Sequence, residues 1–463
     1  MNRLNVILIF DVGRTNKKLI LFDEQYRLVL ENTTQLPETI DDDGFACEDI
    51  DLLSSWIQRS FVEISTNPDY EISAVSFSAY GASMVHLDEY LKPVTPLYSY
   101  LKPYPEDLKK QFYDNYGGEL LVSKQTSSPV LGNLNSGLQL YRLKYQKPAV
   151  FNKIKYTLHL PQYISYLISA NICADITSIG CHTKLWDFSR QDYHEWVYKE
   201  GLDVKLAPIS NGDDVVRIIN GENQIPVGVG LHDSSAALIP YLANFHEPFI
   251  LLSTGTWCIS LNPFNQSPLT AEELQKDCLC YLTYEGRPVK ASRLFAGYEH
   301  EAQTKRLAEH FHTANDHFTT VGFNRDIIAK IKLQQPGVTV EKKEGVLEKS
   351  PFGERDLSTF ASYEEAYHQL IFDLITLQVA ATGLVLNDGQ VKRIFVDGGF
   401  SKNPIFMHLL AAAFPDIEVF AASVAQATAM GAALAIHKHW NTKSLPGDII
   451  DLKYYSAIQD VEV

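Results

Sequence analysis

VILIFDVGRTNKKLILFD, from Val6 to Asp23, is an apolar strand, a turn of Gly and small polar residues, and a second apolar strand. Outward from it the pattern returns as FILLSTGTWCISL, Phe249 to Leu261. It returns again as RIFVDGGFSKNPIFMHLLAAAF, Arg393 to Phe414, where the turn feeds a helix instead. Gly lets the main chain approach closely, so such turns present backbone N–H groups and hydroxyls to an anion. Three of them in one chain point to a nucleotide held between two similar halves. Their wide spacing is that of duplicated domains, not of a short-period solenoid.

Bulk properties bound the reading. A chain of 463 residues exceeds what one core usually carries, so two domains are expected. The net charge of −16 argues against nucleic acid and anionic membranes as partners. It leaves room for ATP, which arrives with Mg²⁺ and needs only local positive potential. The six Cys (47, 173, 181, 258, 278 and 280) lack the spacing of a disulfide scaffold or a zinc site, and the CxC of Cys278 and Cys280 has no second pair nearby. Ordinary buried or half-buried thiols are the reading. No signal peptide pattern opens the sequence and no apolar run reaches membrane-span length, so a reducing cytoplasm is expected.

The strand and turn pattern predicts a hairpin of Val6–Phe10 and Leu19–Phe22 around Gly13–Lys18. It predicts a strand at Ala74–Ser78 with Met84–Leu87 returning from it. Helical periodicity covers Ser136–Leu143 and Gln162–Ser169. Ile225–Val229 reads as a strand ending at Gly230, followed by a small-residue helix, Ser234–Pro240, and a link, Tyr241–Pro248. The second half opens with strands at Ile250–Thr254 and Cys258–Leu261. The Lys/Glu-rich stretch Gln334–Ser350 reads as a surface loop. Ser362 and Glu365 form a capping box opening a helix to about Asn387. Strand Arg393–Val396, helix Asn403–Phe414, strand Ile417–Ala421 and helix Ala425–His437 complete an α/β unit. The domain boundary is expected at 243/244.

Asp11 ends a buried strand before a Gly turn. A carboxylate there can hold Mg²⁺ through water and orient a triphosphate, with Gly13, Arg14, Thr15, Asn16 and Lys18 supplying donors. It also fits an ordinary hairpin whose Asp and Thr satisfy their own turn. No GxxxxGK[ST] run is present, which removes the common P-loop. Gly255 and Thr256 offer N–H groups and a hydroxyl to a transferring phosphoryl group; a plain β-turn explains the same residues. Gly398 and Gly399 allow a base or ribose to rest on the backbone, and the following helix N-terminus favours phosphate. A tight strand-to-helix turn also wants Gly. Asn403 fits an N-cap, an adenine contact, or both. Phosphoryl transfer to an alcohol needs a carboxylate beside the hydroxyl, and Asp233, after His232 and before Ser234, is the candidate. On spacing alone a simple N-cap is the better reading of it.

Together these motifs resemble the FGGY carbohydrate kinases, of the actin-like, ribonuclease-H-like superfamily, over nearly the whole chain. Asp11-Val-Gly13-Arg-Thr15-Asn16 resembles the first phosphate motif, Ser253-Thr-Gly255-Thr256 the second, and Gly398-Gly399-Phe-Ser-Lys-Asn403 the adenosine motif. Gln426-Ala-Thr-Ala-Met-Gly431-Ala-Ala resembles the family's EATALGAA helix with Gln for Glu. Asp233 falls at the catalytic base. His232-Asp233-Ser234 is similar to the His-Asp-Thr of L-rhamnulose and L-fuculose kinases. Tyr80-Gly81-Ala82-Ser83 is similar to their sugar-binding Trp-Gly-Val-Asp, with Ser83 in place of the Asp. The resemblance implies an α/β fold of two actin-like domains, 1–243 and 244–463, with an ATP and sugar cleft between them. It implies ATP and Mg²⁺ as cofactors, and Asp233 as base toward a deoxyketose held near Gly81, Ser83, His232 and Ser234. Domain closure would exclude water. A homodimer is the family analogy, although no interface is visible in the sequence. The rivals are an FGGY kinase for another ketose or polyol, and a non-catalytic member such as a sugar or ATP sensor.

Overall fold

The protein is described by a computed structural model covering residues 3–221, 223–334, 350–386 and 390–456. The expected loop at Gln334–Ser350 lies, apart from its two end residues, outside the described residues, as does Asn387. The chain packs as two compact units. The first comprises 1–244, 280–288 and 425–449; the second comprises 245–279, 289–424 and 450–463.

The first unit is built on a mixed sheet. Its strands lie in the order Val215–Asn220, Asn223–Gly228, Tyr70–Ala79, Leu4–Val12, Lys17–Asp23, Leu28–Thr34. The run Val6–Phe10 is buried at every position, which fits a strand covered on both faces. It pairs antiparallel with Lys17–Asp23 and parallel with Tyr70–Ala79. The hairpin is therefore as expected, with Lys18 inside its second strand, opposite Asp11. A short strand, Leu231–His232, also runs parallel to Tyr70–Ala79, with His232 opposite Ala79. Helix Ile50–Thr66 turns Leu53, Ile57 and Ile64 inward and is N-capped by Asp49.

Three expectations shift in this unit. Met84–Leu87 is a strand, but it pairs with Tyr156–His159 and not with the strand it leaves. Ala82, at φ 64, turns the chain out of the sheet. The helix after His232 runs from Asp233 to Asn244, straight through Pro240. The helix expected at Ala425–His437 is Ala427–Ala435, and it packs on Asp233–Asn244.

In the second unit Phe249–Thr254 pairs antiparallel with Cys258–Asn262 and parallel with Arg393–Gly398, which in turn pairs parallel with Glu418–Val424. Helices Tyr363–Gly383 and Pro404–Ala413 carry the core of this unit. Ser362 accepts the Glu365 N–H as expected; the Glu365 carboxylate reaches the N–H of Ala361. The helix closes at Gly383, short of the expected end.

Candidate functional site

In the first unit three strand ends converge. Asp11 is in register with Ser78 on one side of Tyr70–Ala79, and Leu231 is in register with Ser78 on the other. Asp11, the Gly81 turn and Asp233 therefore leave the sheet at the carboxyl ends of neighbouring parallel strands. Ligands of open α/β sheets gather at such ends.

Asp11 is half-buried, and its Oδ2 accepts a hydrogen bond of 2.7 Å from the Thr428 hydroxyl. Burial raises its pKa to about 6; the Thr428 bond opposes this and the charge of Asp233 adds to it. Two carboxylates that feel each other at strand ends form a place for a hard cation with oxygen ligands.

Asp233 opens its helix with a side chain about one-third exposed (36%). Its Oδ1 accepts from the N–H of Ser234 at 2.6 Å and from the Ser234 hydroxyl at 3.3 Å. The capping role passes to His232, whose Nδ1 accepts the same Ser234 N–H at 3.2 Å. That bond leaves the His232 ring proton on Nε2, which lies 3.3 Å from Cys181 Sγ. Burial holds the imidazole below its ordinary pKa, so the ring is neutral. The backbone N–H of His232 donates to the Thr177 hydroxyl at 3.0 Å, and that hydroxyl donates to the buried Asp175. The expected sugar contact His232 is thus a packed ring that shapes the end of the Asp233 strand. Gly81 lies against it: a Cβ at Gly81 would meet the ring at 2.2 Å.

The remaining residues of the first turn divide. The Gly13 N–H donates to the Asn16 carbonyl at 2.9 Å, and Arg14, Thr15 and Asn16 are exposed. Lys18 donates to the Gln426 side chain at 2.7 Å and lies 3.5 Å from Glu31. Arg14 donates to Ser99 at 3.1 Å and sits over the Tyr100 ring. The residue that the sequence reading passed over is Lys17. It is buried, donates to the Arg14 carbonyl at 2.8 Å, and pairs with Glu48, which also accepts from Tyr80. Ser83, also buried, donates to the Tyr98 carbonyl at 3.3 Å. Ser83, Lys17, Glu48 and Tyr80 line a polar cavity of about 20 Å³, room for one water and not for a sugar ring.

The second unit holds a separate cavity of about 480 Å³. Gly255, Gly297, His300, Gly399, Phe400 and Asn403 are among the residues that line it. Two of its lining glycines, Gly255 and Gly399, follow directly on the parallel strand pair in which Thr254 lies opposite Gly398. The Thr254 hydroxyl donates to the Asp397 carbonyl at 2.6 Å and accepts the Phe400 N–H at 3.0 Å, tying the two turns together. Gly398 has φ +92, and a Cβ there would sit 1.9 Å from the Thr254 carbonyl oxygen. Gly399 faces open space. Asn403 caps Pro404–Ala413 by accepting from Ile405 and Phe406, both at 3.0 Å, and its Nδ2 donates to Tyr367 at 2.7 Å. The Thr256 carbonyl accepts the Tyr298 N–H at 3.2 Å, and Gly297 allows the contact: a Cβ there would meet the Gly255 carbonyl at 1.8 Å. His300 bonds to the Tyr367 hydroxyl at 3.0 Å, and burial lowers its pKa to about 4. Gly297, His300, Phe318 and Thr319 carry no turn signature in the sequence, so only the fold brings them to this cavity.

Residues 6–239 match the N-terminal domain of the FGGY family of carbohydrate kinases, and residues 246–444 match the FGGY carbohydrate kinase C-terminal domain. A rhamnulokinase of Halalkalibacterium halodurans is 25% identical over 275 residues, 55% of this chain and 56% of the relative. An L-fuculokinase of Escherichia coli (strain K12) is 24% identical over 278 residues, 54% of this chain and 55% of the relative. The chain spans about half the length of the curated relatives it matches. Among solved structures, a carbohydrate kinase from Novosphingobium aromaticivorans superposes with a TM-score of 0.78 at 21% identity, covering 99% of this chain and 95% of that one. A xylulose kinase from Lactobacillus acidophilus superposes with a TM-score of 0.79 at 17% identity, covering 98% of this chain and 94% of that one. At these identities the structures speak for the fold alone. Among the described residues, no helix is long and apolar enough to cross a membrane.

Proposed function

The chain belongs to the FGGY family of carbohydrate kinases, and from that premise we propose that it transfers the γ-phosphoryl group of Mg·ATP to a hydroxyl of a deoxyketose such as L-rhamnulose or L-fuculose. The observation that carries the reading is the pair of carboxylates, Asp11 and Asp233, at the carboxyl ends of strands flanking Tyr70–Ala79.

Asp233 is the base in this reading. It orients the attacking hydroxyl and takes its proton as the bond to phosphorus forms. Ser234 holds the carboxylate in place, and the neutral His232 ring, pressed on Gly81, fixes the strand end that carries it. Asp11 fits magnesium by its chemistry: an oxygen ligand, half-buried, whose charge Thr428 supports. Magnesium held there through water would neutralise phosphate charge. The adenosine would rest on Gly399 and Phe400 beside Asn403. The Gly255 N–H is bonded to the Trp257 carbonyl at 2.8 Å, so in this turn the Thr256 N–H and hydroxyl would be the groups that receive phosphate oxygens. A cytoplasmic location, where Mg·ATP is abundant, goes with this activity.

The similarity to a rhamnulokinase and an L-fuculokinase supports the deoxyketose class. One observation favours a second reading, a kinase for another ketose such as a pentulose. Ser83 is buried and bonded to a carbonyl, so it offers no carboxylate to a sugar hydroxyl.

The test is ADP release with Mg·ATP against L-rhamnulose, L-fuculose, L- and D-xylulose, L- and D-ribulose and glycerol. Release with one or two sugars is expected, and Asp233→Asn should lower it by about 10²- to 10⁴-fold while ATP still binds. Turnover unchanged in the variant removes Asp233 as base. ADP release that is the same with and without sugar marks an ATPase and removes the kinase reading. No release with any sugar of the panel, with ATP still bound, shifts it to a substrate outside the panel or to a sensor.

A further inference from the structure

The sequence offers no zinc spacing, because the residues concerned are two neighbours and a third fifty positions on. The fold brings them together. Cys181, His182 and His232 place one ligand atom each within 4.8 Å of one another, all three buried. Cys181 Sγ lies 3.3 Å from His232 Nε2. With zinc–sulfur near 2.3 Å and zinc–nitrogen near 2.0–2.1 Å, a tetrahedral site sets such a pair about 3.5 Å apart. The pair thus needs to open by only a few tenths of an ångström.

We infer that Cys181, His182 and His232 form a binding site for one borderline-soft divalent cation, zinc by preference, with the fourth position left to water.

The surroundings of the ligands agree with this. A metal-bound imidazole usually donates its other ring N–H to a carbonyl or carboxylate. His182 Nδ1 lies 3.1 Å from the Leu134 carbonyl, which leaves Nε2 as the nitrogen for a metal. His232 Nδ1 lies 3.5 Å from Asp233 Oδ1. On binding, the Cys181 thiol loses its proton to solvent and the His232 ring proton moves from Nε2 to Nδ1, facing that carboxylate. The Ser234 N–H keeps its bond to Asp233. His182 holds φ 33, in the left-handed region that residues other than glycine seldom adopt. The ligand set of thiolate and imidazole selects zinc, cobalt or copper over magnesium, so the site is chemically distinct from one that serves a nucleotide. An ion here would tie the loop carrying residues 181 and 182 to the strand end at His232.

The experiment uses the intact chain, stripped with a chelator and titrated with cobalt(II) under a non-chelating reductant. One cobalt per chain is expected, with a thiolate-to-cobalt charge-transfer band and the visible bands of a tetrahedral ion, both displaced by zinc. Cys181→Ser should abolish the charge-transfer band. His182→Asn should weaken binding by at least about tenfold. Zinc should raise the unfolding temperature of the unaltered chain and not that of Cys181→Ser. Metal-free unfolding of both variants checks that they fold, and either one alone suffices. Absence of stoichiometric uptake, or a charge-transfer band that survives Cys181→Ser, overturns the site. Neither result depends on kinase activity.

Discussion

At the scale of single residues, two glycines carry demands that their motifs alone do not express. Gly81 lies in the turn read as sugar-binding, yet what requires a missing side chain is the His232 ring, 2.2 Å from where a Cβ would stand. Gly81→Ala must push that ring, and with it the strand end before Asp233. A displacement of about 1 Å costs on the order of 10²-fold in rate. The expected result is a loss of that order in sugar-dependent turnover with unchanged ATP affinity, read by ADP release and by nucleotide titration. Equal loss in both would place the effect on folding. Gly398 is demanding twice over, by φ +92 and by a carbonyl 1.9 Å from the site of a Cβ. Gly398→Ala strains the turn by about 1–3 kcal/mol before the clash is counted, so ATP affinity should fall by about tenfold or more. Normal ATP binding in this variant would remove the turn from the nucleotide site. Neither demand could be seen in the sequence, because the partner atoms, His232 and Thr254, are more than a hundred residues away.

Among elements, the helix from Asp233 to Asn244 departs most from its sequence reading, which stopped it at Pro240. Proline lacks the N–H that would bond to the Ala236 carbonyl, and an interior proline normally breaks a helix. Here the freed carbonyl of Ala236 is covered by the neighbouring helix Ala427–Ala435. Gly431 lies so close that a Cβ would stand 1.8 Å from that oxygen. The small residues of Ala427–Ala433 thus read as a packing surface, and the same helix sends Thr428 to Asp11. Gly431→Ala should force the two helices apart and cost about 1–3 kcal/mol, seen as a lower urea midpoint. An unchanged midpoint would mean the contact is slack. Asn403 tests a second element. Both readings drawn from the sequence meet in one side chain, which caps Pro404–Ala413 and lines the cavity. Asp is as good a cap as Asn. Asn403→Asp should therefore hold the unfolding midpoint near that of the unaltered chain while its charge weakens ATP binding. Asn403→Ala should lose both, with about 1 kcal/mol of stability gone. If Asn403→Asp binds ATP normally, the residue is a cap and no more.

For the whole molecule, strands that turn at Gly were legible because a strand, a turn and a strand are local events written in ten or twenty residues. What joins distant segments was not. Asp11 meets Thr428, and His300 and Phe318 join Gly399 around one cavity, through folding that no window of sequence contains. The partner of Met84–Leu87 was missed for the same reason. Burial of titratable groups is another such global property, and it sets how stability follows pH. Burial depresses the pKa of eight histidines: His86 and His159 to about 3, His300 to about 4, and His194, His232, His368, His408 and His437 below their ordinary value. Unfolded, these rings take up protons near pH 6.5. Their contribution is therefore complete above that pH and is lost as pH falls through it. Burial raises three carboxylates: Asp175 to about 7, Asp11 to about 6, and Asp373. Their contribution has the opposite sign, complete below about pH 4 and lost as pH rises through the folded values. The histidines outnumber the carboxylates, so unfolding resistance should fall as pH drops from about 7 to about 5. Asp175 permits a test of the sign. Its Oδ1 accepts from Thr177 and Ser178, while Oδ2 is buried with no donor to support a charge, and burial raises the pKa. Asp175→Asn removes a term that grows as pH falls, so the variant should lose stability on acidification more steeply than the unaltered chain. Urea midpoints measured across that range decide it. A shallower slope in Asp175→Asn would mean that this carboxyl is ionised in the folded protein.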